Sequence, residues 1–122
     1  MYELNYRLTF SAGHWLRDYE GICKNPHGHN WEVWVTLEGE ALAPNGTLVD
    51  FYDIERALEP LRRDVDHAML NDIPPFTEIS PTSENLAKWI HDRLAGMFNR
   101  GGVRLKQVAV KEYENSTVIY RP

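Results

Sequence analysis

Cysteine is nearly absent from this 122-residue chain, in which Cys23 is the only one. A single thiol cannot close an internal disulfide, which fits a reducing compartment and leaves Cys23 for metal binding, catalysis or simple packing. Long apolar runs are missing as well. No stretch approaches the roughly 18 residues of a membrane span, and the opening "MYELNYRLTF" has neither the basic start nor the uninterrupted apolar stretch of a secretory signal. These absences predict a soluble, cytoplasmic protein with no membrane partner. Positive charge is scarce, with 13 Lys and Arg against 18 Asp and Glu, for a net charge of −5. That balance speaks against nucleic acid as the main partner, while a local basic pocket for a phosphorylated ligand is compatible with it. No repeat or linker interrupts the chain, and its length suits one domain over residues 1–122.

What is present is periodicity. From Tyr2 to His14 the even positions are Tyr, Leu, Tyr, Leu, Phe, Ala, His and the odd ones are mostly polar, a period of two that predicts a half-buried strand. His29, Trp31, Val33, Val35 and Leu37 continue the same pattern in a second strand, which "APNGT" closes with turn chemistry. Asp50 is an N-cap candidate for a helix over about 50–65, with Phe51, Ile54, Leu58, Leu61 and Val65 on one stripe. Pro60 removes a donor inside it and predicts a kink near Arg56–Glu59. Ser80 and Pro81 read as cap and first turn of a second helix over about 82–98, carrying Leu86, Ile90 and Leu94 inward. Two further strands follow around the "YENS" turn. The order β-β-α-α-β-β predicts an α+β fold, with an antiparallel four-stranded sheet and two helices on one face.

Histidines stand where the two apolar strand faces end. His14 terminates the first face, and His29, with His27 two residues before it, opens the second. An antiparallel pairing would bring the three imidazoles together at one edge of the core, a donor set that suits zinc. Cys23 then has alternatives: a fourth ligand closing a structural site, a thiolate outside the ligand set acting as base, or a small buried hydrophobe. Asp66 and His67 follow the first helix, and adjacent residues form a working pair only beyond the helix end or across a subunit boundary. Glu112 continues an apolar stripe, either as a ligand-reading carboxylate or as a strand-end residue facing water. His91 lies on the polar side of the second helix and is expected on the solvated surface.

"FSAGH" ending in His14, "CKNPHGHNW" from Cys23, "GTLVDF" from Gly46, "DHAMLND" from Asp66, "PTSENLAKWI" from Pro81 and "VKEY" around Glu112 together resemble the 6-pyruvoyl-tetrahydropterin synthase family. The resemblance is closest to its prokaryotic branch, the 6-carboxy-5,6,7,8-tetrahydropterin synthases of the queuosine pathway. It implies a T-fold subunit in a hexamer of two trimers with active sites between subunits. It also implies a zinc-dependent lyase acting on 7,8-dihydroneopterin triphosphate, with His14, His27 and His29 as ligands and Cys23 as catalytic base. Asp66 and His67 match the proton-relay pair, and Glu112 the carboxylate that anchors the pterin ring. The 6-pyruvoyl activity and a non-catalytic Cys/His zinc module are the alternatives. Tyr113 departs from the threonine usual after that glutamate. Arg17, Lys24 and Lys111 are triphosphate candidates by their nearness in sequence.

Overall fold

The alternation of the first two strands holds over their whole length. In the computed structural model, which describes residues 1–122, β1 (Tyr2–His14) and β2 (His27–Gly39) pair antiparallel, from Tyr2 opposite Gly39 to His14 opposite His27. Directly opposed residues share a face, so Leu8, Phe10 and Ala12 join Trp31, Val33, Val35 and Leu37 in one buried cluster. The indole N–H of Trp31, fully buried, is satisfied by donating to the Ala12 carbonyl at 3.1 Å.

Three further strands complete the sheet: β3 (Ala68–Met69), β4 (Val103–Tyr113) and β5 (Ser116–Tyr120), in the order β3-β1-β2-β4-β5. The sheet is therefore five-stranded and mixed, not four-stranded and purely antiparallel, because β3 adds to the outer edge of β1 in parallel through Ala12–Ala68 and Gly13–Met69. A two-residue strand is too short to show any alternation.

Helices α1 (Phe51–Val65) and α2 (Ser83–Phe98) cover one face of the sheet, and Ile54, Leu58, Leu61 and Val65 of α1 meet Leu86, Ile90 and Leu94 of α2 in the same cluster as the strands. Asp50 caps α1 as expected, accepting from the Tyr52 amide at 2.8 Å, and the helical run continues through Pro60 to Val65. Phe51 does not join the buried stripe; it lies at the first turn and is exposed. The cap of α2 is Thr82, whose hydroxyl accepts from the Asn85 amide at 3.1 Å. Ser80 is engaged elsewhere, its hydroxyl accepting from the Arg17 amide at 2.7 Å. His91 is buried rather than solvated, packed edge-to-face on Tyr120 of β5 at 5.2 Å between ring centroids.

The opposite face of the sheet carries no helix and is polar. There Thr36 donates to Asn5 at 2.6 Å, and Arg104 and Lys106 pair with Glu38 and Glu3. No helix is long and apolar enough to cross a membrane.

Candidate active site

The β1–β2 register alone builds the histidine cluster. His14 opposes His27 and Ala12 opposes His29, so all three imidazoles project from the helix-covered face at one end of the ladder. One ligand atom from each lies within 4.8 Å of the others, and the three can hold a metal ion. His14 and His29 approach most closely, at 3.2 Å between their Nε2 atoms. Trp31 is the floor, with its ring 4.9 Å from that of His14 and 5.3 Å from that of His29.

Hydrogen bonds at the far side of two rings choose their tautomers. His14 donates from Nδ1 to the Pro81 carbonyl at 2.9 Å, and His27 donates from Nδ1 to the Asn25 carbonyl at 2.7 Å. Each Nε2 is thereby free to offer a lone pair, the usual arrangement when a ligating imidazole is oriented by a backbone carbonyl. His27 Nε2 is buried and has no partner among the protein atoms. A buried acceptor without a donor is costly, and a cation at the focus of the rings supplies what is missing. Burial pushes the His29 imidazole below its ordinary value; the Glu112 carboxylate opposes this, and His14 and His27 add to it. A neutral ring is the form that binds metal. The donor set thus fits a divalent metal with imidazole preference.

Glu112 faces the cluster and not the solvent. Its Oε1 is 3.1 Å from His14 Nε2 and 3.7 Å from His29 Nε2. Burial pushes its carboxyl up, but in the metal-free protein a hydrogen bond from protonated His14 and the charge that His29 and His27 carry when protonated outweigh that and hold it below the usual carboxylate value. Tyr113, which the sequence did not single out as a site residue, packs its ring on that of His29 at 4.7 Å.

Cys23 occupies a single 3-10 turn, Ile22–Lys24, just before β2. Its carbonyl accepts from the Leu16 amide at 2.9 Å, which ties the loop after β1 back on itself. The half-buried thiol is not among the atoms that converge within 4.8 Å, yet it is near enough to contribute, after burial and Glu112, to pushing the Tyr113 phenol up. Of the three cations suggested by sequence, Arg17 is spent on the Ile79 and Thr77 carbonyls, at 2.8 and 3.0 Å, and on the Trp15 ring. Lys111 lies 3.9 Å from Glu32. Lys24 has neither an ion pair nor a side-chain hydrogen bond.

Asp66 and His67 do form a pair within one chain, because they lie past the last turn of α1. Asp66 is its C-cap, and His67 takes a left-handed backbone at φ 57°. That conformation is uncommon outside glycine, and here it turns Nδ1 to 3.1 Å from Asp66 Oδ1. The same oxygen accepts from the Ser11 amide at 3.0 Å, and the His67 amide donates to the Ser11 carbonyl. The Ser11 bond is the main reason the Asp66 carboxyl lies below its ordinary value; burial opposes it and His67 assists. The His67 side chain is 82% exposed on the outer edge of β1 and makes no ring contact with the three clustered histidines. Within one chain the dyad and the cluster are therefore not in contact, although His67 and His29 line one open cleft over Gly13 and Gly28.

Residues 3–122 match the family model described as 6-pyruvoyl tetrahydropterin synthase. The chain is 34% identical to human 6-pyruvoyl tetrahydrobiopterin synthase, over 98% of its own length and 90% of that protein. It is 32% identical to 6-carboxy-5,6,7,8-tetrahydropterin synthase of Bacillus subtilis, over 99% of its length and 86% of that protein. The structure of Caenorhabditis elegans 6-pyruvoyl tetrahydropterin synthase superposes with a TM-score of 0.88 at 26% identity, covering 99% of this chain and 95% of that one.

Proposed function

The chain belongs to the 6-pyruvoyl tetrahydropterin synthase family, and on that premise we propose that it is a zinc-dependent lyase converting 7,8-dihydroneopterin triphosphate to 6-carboxy-5,6,7,8-tetrahydropterin, acetaldehyde and triphosphate, in the cytoplasm, as a step of queuosine biosynthesis. Its relatives support a pterin-processing lyase. The observation that supports a catalytic rather than a structural metal site is the pairing of a three-imidazole cluster with a carboxylate 3.1 Å away and a thiol outside the cluster. A structural Cys/His site would need that thiol among the ligands.

His14, His27 and His29 would hold the metal, and zinc fits their neutral Nε2 donors. When bound, zinc supplies Lewis acidity beside the substrate's side-chain hydroxyls and so stabilises charge that develops when a neighbouring carbon loses its proton. Cys23 takes that proton on Sγ as a thiolate. Glu112 accepts from ring N–H groups of the pterin through its carboxylate, which lies below its ordinary value. Asp66 orients His67 through the Nδ1 contact, and His67 returns a proton to the substrate chain from its ring, the work of a positioned general acid.

The dyad belongs to the site of a neighbouring copy in this reading, a hexamer built as a dimer of trimers. The support is the exposure of His67 on the β1 edge, without a side-chain contact to the cluster of its own chain. The outer edge of β1 before Ala12 and that of β5 have no partner strand in the sheet order, and unpaired edges invite pairing with another copy.

The experiment is turnover of dihydroneopterin triphosphate by the metal-loaded protein with products identified by mass spectrometry. Release of acetaldehyde with a carboxypterin is the expected outcome. A pyruvoyl pterin without acetaldehyde would instead assign the 6-pyruvoyl activity, the second reading, which the 34% identity to the human enzyme favours.

A further inference from the structure

Glu112 and Tyr113 are consecutive in β4, yet both reach the same imidazole. Glu112 Oε1 lies 3.7 Å from His29 Nε2, and the Tyr113 ring lies 4.7 Å from the His29 ring at 81°. In a regular strand neighbouring side chains point to opposite faces, so one of the two should turn away. The cause of the exception is local. The β4–β5 ladder passes from Lys111–Thr117 to Tyr113–Ser116, leaving one extra residue in β4, and a bulge of this kind re-aims a side chain.

A tyrosine delivered this way is not core packing. Trp31, the other aromatic against His29, is fully buried, whereas Tyr113 is 48% exposed. Part of its ring is used on His29, and the rest stands free beside the Glu112 carboxylate, with Cys23 and Tyr19 close enough to act on its phenol. A carboxylate recognises N–H donors at the rim of a ring, and an aromatic surface next to it recognises the ring's flat face. Together they select a planar heteroaromatic ligand with donors along one edge.

We propose that Tyr113 is a specificity-determining residue whose exposed ring walls the site beside Glu112 and packs against the flat face of such a ligand. The inference rests on the pterin reading of the site and adds to it the group that holds the ring's face.

The test uses the metal-loaded full chain, with neopterin as a fluorescent binding probe and dihydroneopterin triphosphate for turnover, in wild type, Tyr113→Thr and Tyr113→Phe. Threonine keeps strand propensity without a ring. It should weaken neopterin binding and raise KM about three- to tenfold, the loss expected for one aromatic contact, while kcat and metal content hold. Phenylalanine should restore both. Unchanged neopterin binding in Tyr113→Thr overturns the proposal, as does a Tyr113→Phe variant that binds as weakly as the threonine one. Loss of metal in Tyr113→Thr would also overturn it, by reducing the ring to a support for His29. A wild type that binds no neopterin removes the pterin reading and this proposal together. Normal binding and turnover in both variants removes the proposal alone.

Discussion

His14 and His27 face each other as directly opposed residues of β1 and β2, with ring centroids 4.5 Å apart and planes at 63°. Both donate outward from Nδ1 to a backbone carbonyl, so their Nε2 atoms turn toward a common point. Their burial differs, however: His14 is 1% exposed and packs on Trp31, while His27 is only half-buried.

The two histidines should therefore respond differently to alanine. His27→Ala should weaken zinc binding at least about 100-fold, since loss of an outer-shell partner alone can cost that much, and should leave the metal-free fold intact. His14→Ala should lose metal and also destabilise the metal-free protein by about 1–3 kcal/mol, because the Pro81 carbonyl is orphaned and a cavity opens. Zinc content by atomic absorption and urea unfolding of the stripped proteins check both. Equal apo stability for the two variants would count against this account.

Cys23→Ala should retain metal and fold but lower kcat about 100-fold or more, the scale of a positioned proton-transfer group. Alkylation offers a second readout. With metal bound, the thiol should react with iodoacetamide without prior chelation, because Sγ is outside the ligand cluster. A thiol protected until a chelator is added would show it to be a ligand.

Asp66 sets a pH dependence of stability. Its folded carboxyl lies below its ordinary value, chiefly through the Ser11 amide. A depressed acid contributes stability that is fully present above its unfolded value of about 4 and lost as pH falls through the lower folded value. Asp66→Asn should flatten that acid limb of Tm against pH, and parallel curves for the two proteins below pH about 5 would disprove it.

His91 carries a buried Nε2 with no partner, while its Nδ1 donates to Asp92 at 3.2 Å. Replacing it by leucine removes an unsatisfied polar atom at similar volume. Asp92 keeps its bond from Lys88. The variant should unfold at the same urea concentration as wild type or a higher one, since apolar replacement of an ill-satisfied buried group is near neutral or stabilising. A loss of more than about 1 kcal/mol would mean that the Asp92 bond outweighs the orphaned atom.

Much of the site was legible because strand alternation is a local property. Once Tyr2 to His14 and His29 to Leu37 read as two strands with period two, His14 and His29 had to end apolar faces, and an antiparallel pairing had to bring them together with His27. The same locality located α1 and its Asp50 cap, and the order of the four main strands and two helices. Tertiary structure decided whatever depended on competition between distant groups. Ser80 read as the cap of α2, but the Arg17 amide took its hydroxyl and Thr82 caps the helix instead. His91 was polar on its helix, and Tyr120 of β5 covered it. Phe51 matched the apolar stripe of α1, but nothing packs over the first turn, where it is exposed. β3 exists only because Ala68 and Met69 lie along β1 after the left-handed turn at His67. The placement of Glu112 and Tyr113 on one imidazole depends on a bulge whose extra residue has no signature in "VKEYENS". Periodicity specifies which face a side chain takes, but only the packed chain determines what meets it there.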